Sequence, residues 1–136
     1  MDRVIKIYTD GSSRGNPGPA GIGILIIDDK GNEVKRISEY IGETTNNIAE
    51  YSALLRAVIE CEKRKIYSVE FFTDSELLVN QLNKVYKIKN EGLKPLYVKL
   101  LSKLMNFRDW SIKHIPREEN KIADFLANQA LDKKSR

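Results

Sequence analysis

The sequence predicts an α/β domain built on a five-stranded mixed sheet, three antiparallel strands followed by two parallel ones, flanked by helices. Three observations lead to this class. Apolar runs with strand character come first, at residues 4–9, 21–27 and 32–41. From Thr44 the apolar spacing turns helical, and the strand-like SVEFFTD and WSIKHI then alternate with helical stretches. Helical crossovers place the strands they join parallel, so these two extend the sheet that the first three begin.

The first strand, VIKIYT, is apolar and ends against Asp10. The second is glycine-rich at its start and aliphatic later, and Asp28, Asp29, Lys30 and Gly31 suit a tight turn into the third. TTNNIAEYSALLRAVIECEKRK has Thr44 or Thr45 as its N-cap and basic residues at its end. Strand SVEFFTD follows, then helices over about 75–83 and 93–105, strand WSIKHI, and a last helix over about 119–131. Residues 132–136 read as a short polar tail, and residues 1–136 as one domain.

A chain of 136 residues, 41% hydrophobic and 31% charged, is long enough to bury a core and too apolar to be disordered. The lone Cys61 forms neither an internal disulfide nor a cysteine metal cluster, which fits a reducing compartment. With no apolar segment long enough to span a bilayer and no signal-like N-terminus, the expectation is a cytoplasmic monomer. The net charge of +4 is modest, but residues 84–121 carry ten Lys or Arg against four acids, which predicts a basic face.

Four acids do not fit the bland readings of their surroundings. Asp10-Gly11 alone reads as a turn, and Asp74-Ser75 alone as a helix N-cap. Together they place two carboxylates at the ends of neighbouring parallel strands, where they repel unless a cation sits between them. Glu50 shares the apolar helical face of Leu54, Ala57, Val58 and Cys61, while Ser52, Arg56, Glu60 and Lys63 take the other side. Asp124 lies beside the stripe of Ala123, Leu126, Ala127, Ala130 and Leu131 in the last helix.

An all-oxygen cage of Asp10, Glu50, Asp74 and Asp124 suits Mg²⁺, or Mn²⁺, with substrate phosphate oxygens as further ligands. Two ions fit phosphodiester hydrolysis: one generates and aligns a hydroxide, the other stabilises the leaving 3′ oxygen.

These segments resemble, in order, the four motifs of type I ribonuclease H: YTDGSSRGNPGPAGIG, TTNNIAEYSALL, FTDSELLVNQL and NKIADFLANQA. The resemblance covers nearly the whole chain. It implies a ribonuclease H-like fold and an endonuclease that hydrolyses the RNA strand of RNA/DNA hybrids, leaving 5′-phosphate and 3′-hydroxyl ends. It makes Asp10, Glu50, Asp74 and Asp124 the catalytic, metal-binding acids. It also implies substrate contacts from Asn16, Asn46 and Asn47 in the RNA minor groove, where 2′-hydroxyls mark RNA, and from Thr45 and Asn90 at a DNA-strand phosphate. The alternatives are an exonuclease of the same fold and a non-catalytic nucleic-acid-binding module.

The chain departs from the family's pattern in two places. The family commonly carries a mobile-loop histidine before its last acid; here the one histidine, His114, falls at a strand end before Pro116. Arg117 and Glu118 occupy the start of the shortened loop, so the auxiliary candidates are His114, Arg117 and Glu118. The basic protrusion of some relatives is also missing. Val85 stands where they carry tryptophan, leaving Tyr86 with Lys84, Lys87 and Lys89 as backbone contacts. With no room for a separate hybrid-binding domain, weak processivity is expected.

Overall fold

The computed structural model describes residues 4–84 and 86–134; Val85 lies outside the described residues. Five strands form one sheet in the order β3-β2-β1-β4-β5. β1 (Ile5–Ser13), β2 (Gly18–Ile27) and β3 (Glu33–Thr44) are antiparallel neighbours, and β4 (Ser68–Thr73) and β5 (Asp109–His114) continue parallel to β1. The helices are α1 (Asn46–Arg64), α2 (Glu76–Leu82), α3 (Lys94–Leu104) and α4 (Lys121–Lys134), with a 3-10 turn at Arg117–Glu119. The mixed sheet expected from the sequence is present with its predicted strand directions.

The bounds differ in three instructive places. β1 does not stop at Thr9; it runs on to Ser13 because its pairing with β2 continues to Ser13↔Ala20, while its pairing with β4 ends at Tyr8↔Phe72. Asp10 therefore sits inside a strand, just past the fork where β1 and β4 part. The last helix starts at Lys121, because Asn120 and the preceding 3-10 turn take up the residues after Pro116. It also reaches Lys134, so residues 132–134 of the expected polar tail are helical.

The main core lies between the sheet and α1 to α3. Ile7, Ile22, Ile24, Ile26, Val69 and Phe71 meet Leu54, Ala57, Val58 and Cys61 of α1 there, with Leu78, Leu100 and Leu104. Trp110 is half-buried against this core at the start of β5. Thr45 caps α1, its hydroxyl accepting a hydrogen bond from the Ile48 amide at 3.2 Å. Glu60, expected to face solvent, is instead buried and held by Arg56 at 2.9 Å and Arg64 at 2.8 Å, with Arg56 also bridging to Glu39 of β3. Two guanidinium groups offset the cost of burying that carboxylate.

Two glycines set how closely the helices approach the sheet. A Cβ on Gly11 would lie 2.1 Å from the Ala49 carbonyl oxygen of α1, and one on Gly23 would lie 2.1 Å from the Ala123 carbonyl oxygen of α4. Gly11 pairs with Ile22, whereas Gly23 pairs with Asp10. Directly paired residues share a face, so α1 and α4 cover opposite faces and Asp10 projects on the α4 side.

Candidate active site

The fork between β1 and β4 opens a cleft of about 280 Å³ lined by Asp10, Gly11, Ser12, Asn46, Glu50, Asp74, Arg117 and Asp124. Asp10 comes from β1 and is 5% exposed; Glu50 comes from the first turns of α1 and is 6% exposed. The close contact at Gly11 brings α1 down onto β1, and the Gly11 amide donates a 2.8 Å hydrogen bond to Glu50 Oε1. Asp74 directly follows β4. Its neighbour Ser75 caps α2, accepting from the Leu78 amide at 3.3 Å, which leaves the Asp74 carboxylate for the cleft. The helix-cap reading of the Asp74-Ser75 pair thus belongs to the serine alone.

Asp10, Glu50 and Asp74 each offer a carboxylate oxygen, and these oxygens lie within 4.8 Å of one another. Asp124 approaches from the first turn of α4, close enough to Asp10 for the two carboxyls to share a hydrogen bond. Its own carboxylate receives the Asn128 side-chain amide at 3.4 Å and lies 3.8 Å from the Arg117 guanidinium.

The electrostatics are those of a site short of positive charge. Burial, and then the charges of Asp74 and Asp124, push the Asp10 carboxyl up to about 8, with Arg117 pulling the other way. Burial and the neighbouring Asp10 raise Glu50 well above the ordinary carboxylate range, although the Gly11 amide favours its charged form. Asp74 is raised too, chiefly by burial, with Arg117 opposing. Two buried carboxylates and a half-buried third that cannot all ionise comfortably suit a multivalent cation, and a set without sulfur or imidazole favours hard ions.

Residues 8–130 match the family described as Reverse transcriptase-like. The chain is 40% identical over 128 residues to Ribonuclease HI of Halobacterium salinarum, a match covering 94% of this chain and 64% of that protein. It is 38% identical to the Ribonuclease H of Rickettsia typhi, covering 97% of this chain and 93% of that one. The chain belongs to the ribonuclease H family. It spans only 35% of a longer relative, the Bifunctional protein Rv2228c of Mycobacterium tuberculosis. Among ribonuclease H structures, LC11-RNase H1 in complex with an RNA/DNA hybrid matches with a TM-score of 0.92 at 48% identity, covering 97% of this chain and 99% of that one.

Around the acids of this ribonuclease H domain, the predicted contact residues divide. Asn16, Asn46 and Ser13 form one hydrogen-bonded rim: Asn16 Oδ1 accepts from the Asn46 amide at 3.0 Å, and Asn46 Oδ1 from the Ser13 amide at 3.2 Å. Asn47 is exposed beside them, and the Thr45 hydroxyl is engaged in capping α1. Asn90 is not in the cleft; its side-chain oxygen accepts from the Gly92 amide at 2.7 Å in the loop before α3. Nearby, Lys84, Tyr86, Lys87, Ile88, Lys94, Tyr97 and Val98 line a groove of about 490 Å³.

The three auxiliary candidates also separate. Arg117 alone lines the acidic cleft, Glu118 lines a different hollow with Tyr8, Leu25 and Ile122, and His114 closes β5 opposite Thr73. The sequence reading missed Gly11 and Ser12 as cleft residues, and missed Asn120 altogether. Gly11 had a signal, since the residue after a strand acid at a close helix approach must be small. Asn120 had only its place before an apolar helix, which reads as an ordinary cap.

Proposed function

We propose that this chain is a metal-dependent endonuclease that hydrolyses the RNA strand of RNA/DNA hybrids to 5′-phosphate and 3′-hydroxyl ends. The observation that carries the reading is the set of Asp10, Glu50 and Asp74 oxygens within 4.8 Å of one another, with Asp124 beside Asp10. The 48% identity to LC11-RNase H1, whose structure holds an RNA/DNA hybrid, supports the substrate class. No helix among the described residues is long and apolar enough to cross a membrane, and we take the protein to act as a cytoplasmic monomer.

The residues fit Mg²⁺, with Mn²⁺ as a substitute: every donor is a carboxylate oxygen, and at Asp10 and Glu50 burial has already removed much of the water that would otherwise solvate the charge. Asp10, Glu50, Asp74 and Asp124 would hold two ions when hybrid is bound. Such ions supply activation of a water nucleophile and stabilisation of the leaving 3′ oxygen. The Gly11 amide fixes the direction of the Glu50 carboxylate, and Asn128 fixes that of Asp124. Arg117, 80% exposed at the side chain and flanking both Asp74 and Asp124, neutralises part of the charge that would repel an incoming phosphate. Asn47, exposed next to Asn46, is our candidate for reading 2′-hydroxyls and base edges. Thr45 and Asn90 keep their proposed phosphate contact through the donors their local bonds leave free, the Thr45 hydroxyl proton and the Asn90 side-chain amide, since in both local bonds the side-chain oxygen accepts.

His114 serves no step in this scheme. His114→Ala is expected to keep turnover within about threefold of wild type, whereas a fall beyond about a hundredfold in a folded variant would make it the proton carrier. The Lys84, Lys87 and Tyr86 groove serves as a backbone contact. Lys87→Ala is therefore expected to weaken hybrid binding uniformly across sequences and to lower the slope of log K against log salt by roughly 1. An unchanged slope would remove the groove from the substrate path.

The products test the chemistry. Hydrolysis by water gives RNA fragments with 5′-phosphate and 3′-hydroxyl ends; 2′,3′-cyclic phosphates would mean attack by the RNA 2′-hydroxyl and would overturn the scheme.

A further inference from the structure

Asn120 sits between the 3-10 turn and α4 and is 1% exposed, an uncommon depth for an asparagine. Its polar groups tie together three pieces of the cleft. The side-chain amide donates to the Thr9 carbonyl at 2.9 Å, the residue immediately before Asp10. Its backbone amide donates to the Arg117 carbonyl at 3.0 Å, and its backbone carbonyl accepts from the Asp124 amide at 3.1 Å. Thr9 is the first residue of β1 beyond the β1–β4 ladder, which ends at Tyr8↔Phe72. The Asn120 amide therefore docks where the sheet forks, and one residue joins the strand of Asp10 to the helix of Asp124.

The side-chain oxygen of Asn120 is buried and has no hydrogen-bond partner among the described residues. An amide selected only to stabilise the fold is expected to satisfy both of its ends, because a buried unpaired oxygen costs stability. What this amide delivers is placement. The Asn120–Thr9 bond and the Asp124-to-Asn120 backbone bond together hold the first turn of α4 against β1 beside Asp10.

We infer that Asn120 is a positioning residue that sets the distance between Asp124 and Asp10, and thereby the affinity of the cleft for divalent cations; this rests on the metal-dependent reading above. It acts through its neighbours and touches no reacting atom. Supporting groups of this kind change metal affinity or rate by about 10–100-fold when removed.

The test compares wild type with Asn120→Ala and Asn120→Ser, the serine keeping a short donor. Mg²⁺ is titrated while the melting temperature is followed, and kcat and KM are measured on a hybrid. In Asn120→Ala the Mg²⁺ concentration giving half the thermal shift is expected to rise about tenfold or more, and kcat to fall about tenfold or more at near-constant KM. Asn120→Ser should recover part of both. A Mg²⁺ midpoint and kcat within twofold of wild type, with only a lower melting temperature, would make Asn120 a packing residue and overturn the inference. If Asn120→Ala does not fold, Asn120→Ser decides by the same criterion. A wild-type chain that gains no stability from Mg²⁺ would instead overturn the metal reading, and this inference with it.

Discussion

Asp10→Asn is expected to lower hybrid cleavage by at least ~10³-fold, about 4 kcal/mol of transition-state stabilisation, while making the metal-free protein more stable at neutral and alkaline pH. The two effects share one cause. The Asp10 carboxyl, ordinarily at 3.8, is raised to about 8 by burial and by Asp74 and Asp124. Between those values the folded chain holds a proton that the unfolded chain has lost, so stability falls as pH rises. The favourable contribution is complete below about pH 4 and is lost as pH climbs through 8. An asparagine cannot ionise and escapes that loss. Its advantage over wild type should open above pH 4 and level off above 8, reaching several kcal/mol and raising Tm by roughly 10 °C or more. Mg²⁺ should close the gap by stabilising wild type, because an ion that binds only the folded chain shifts the equilibrium by mass action. Thermal melts across pH, with and without Mg²⁺, check the sign. A variant less stable than wild type at pH 8 without metal would contradict the charge repulsion argued for this cleft.

Gly23→Ala carries the second large effect. The new methyl would lie 2.1 Å from the Ala123 carbonyl oxygen, 2.6 Å from the Ala127 amide nitrogen and 2.8 Å from the Leu126 Cβ. Two of these are helix backbone atoms, which cannot swing aside like a flexible side chain, so α4 as a whole must lift from the sheet. The expected cost is about 3 kcal/mol or more, a fall in Tm of roughly 10 °C or more. Asp124 rides on the same helix, so cleavage should fall even at temperatures where the variant is folded. Gly31→Ala is the control: its positive φ of 86° strains an alanine, but nothing lies within 4 Å of the added carbon. A Gly23→Ala protein that melts within a degree or two of wild type would show that α4 does not depend on this contact.

The sequence made much of this legible, for physical reasons that differ by residue. The strands and α1 announce themselves because periodicity records which face is buried, and Glu50 stood out because it breaks the apolar face of α1. The paired Thr-Asp endings pointed to a shared site because parallel strands bring their carboxyl ends to one rim. Other features depend on contacts between distant segments. The continuation of β1 past Asp10 comes from pairing with β2, which local composition does not reveal. Glu60 read as a solvated acid because its partners Arg56 and Arg64 share its helix while the bridge to Glu39 comes from β3. The role of the glycines in β2 shows only once α4 is seen to lie against them. Arg117 lines the cleft because the residues after Pro116 fold into a 3-10 turn that carries the arginine over it, whereas His114, at the end of β5, is not among the lining residues.

The central claim is that the acidic cleft cuts RNA paired to DNA and nothing else. The most direct measurement is incubation of labelled, end-blocked RNA/DNA hybrid, duplex RNA and duplex DNA with the wild-type chain, each with and without Mg²⁺. Internal cuts in the RNA of the hybrid alone, only when Mg²⁺ is present, are the predicted result. Cuts in either homoduplex, or no cleavage of hybrid by folded protein with Mg²⁺ or Mn²⁺, would contradict it.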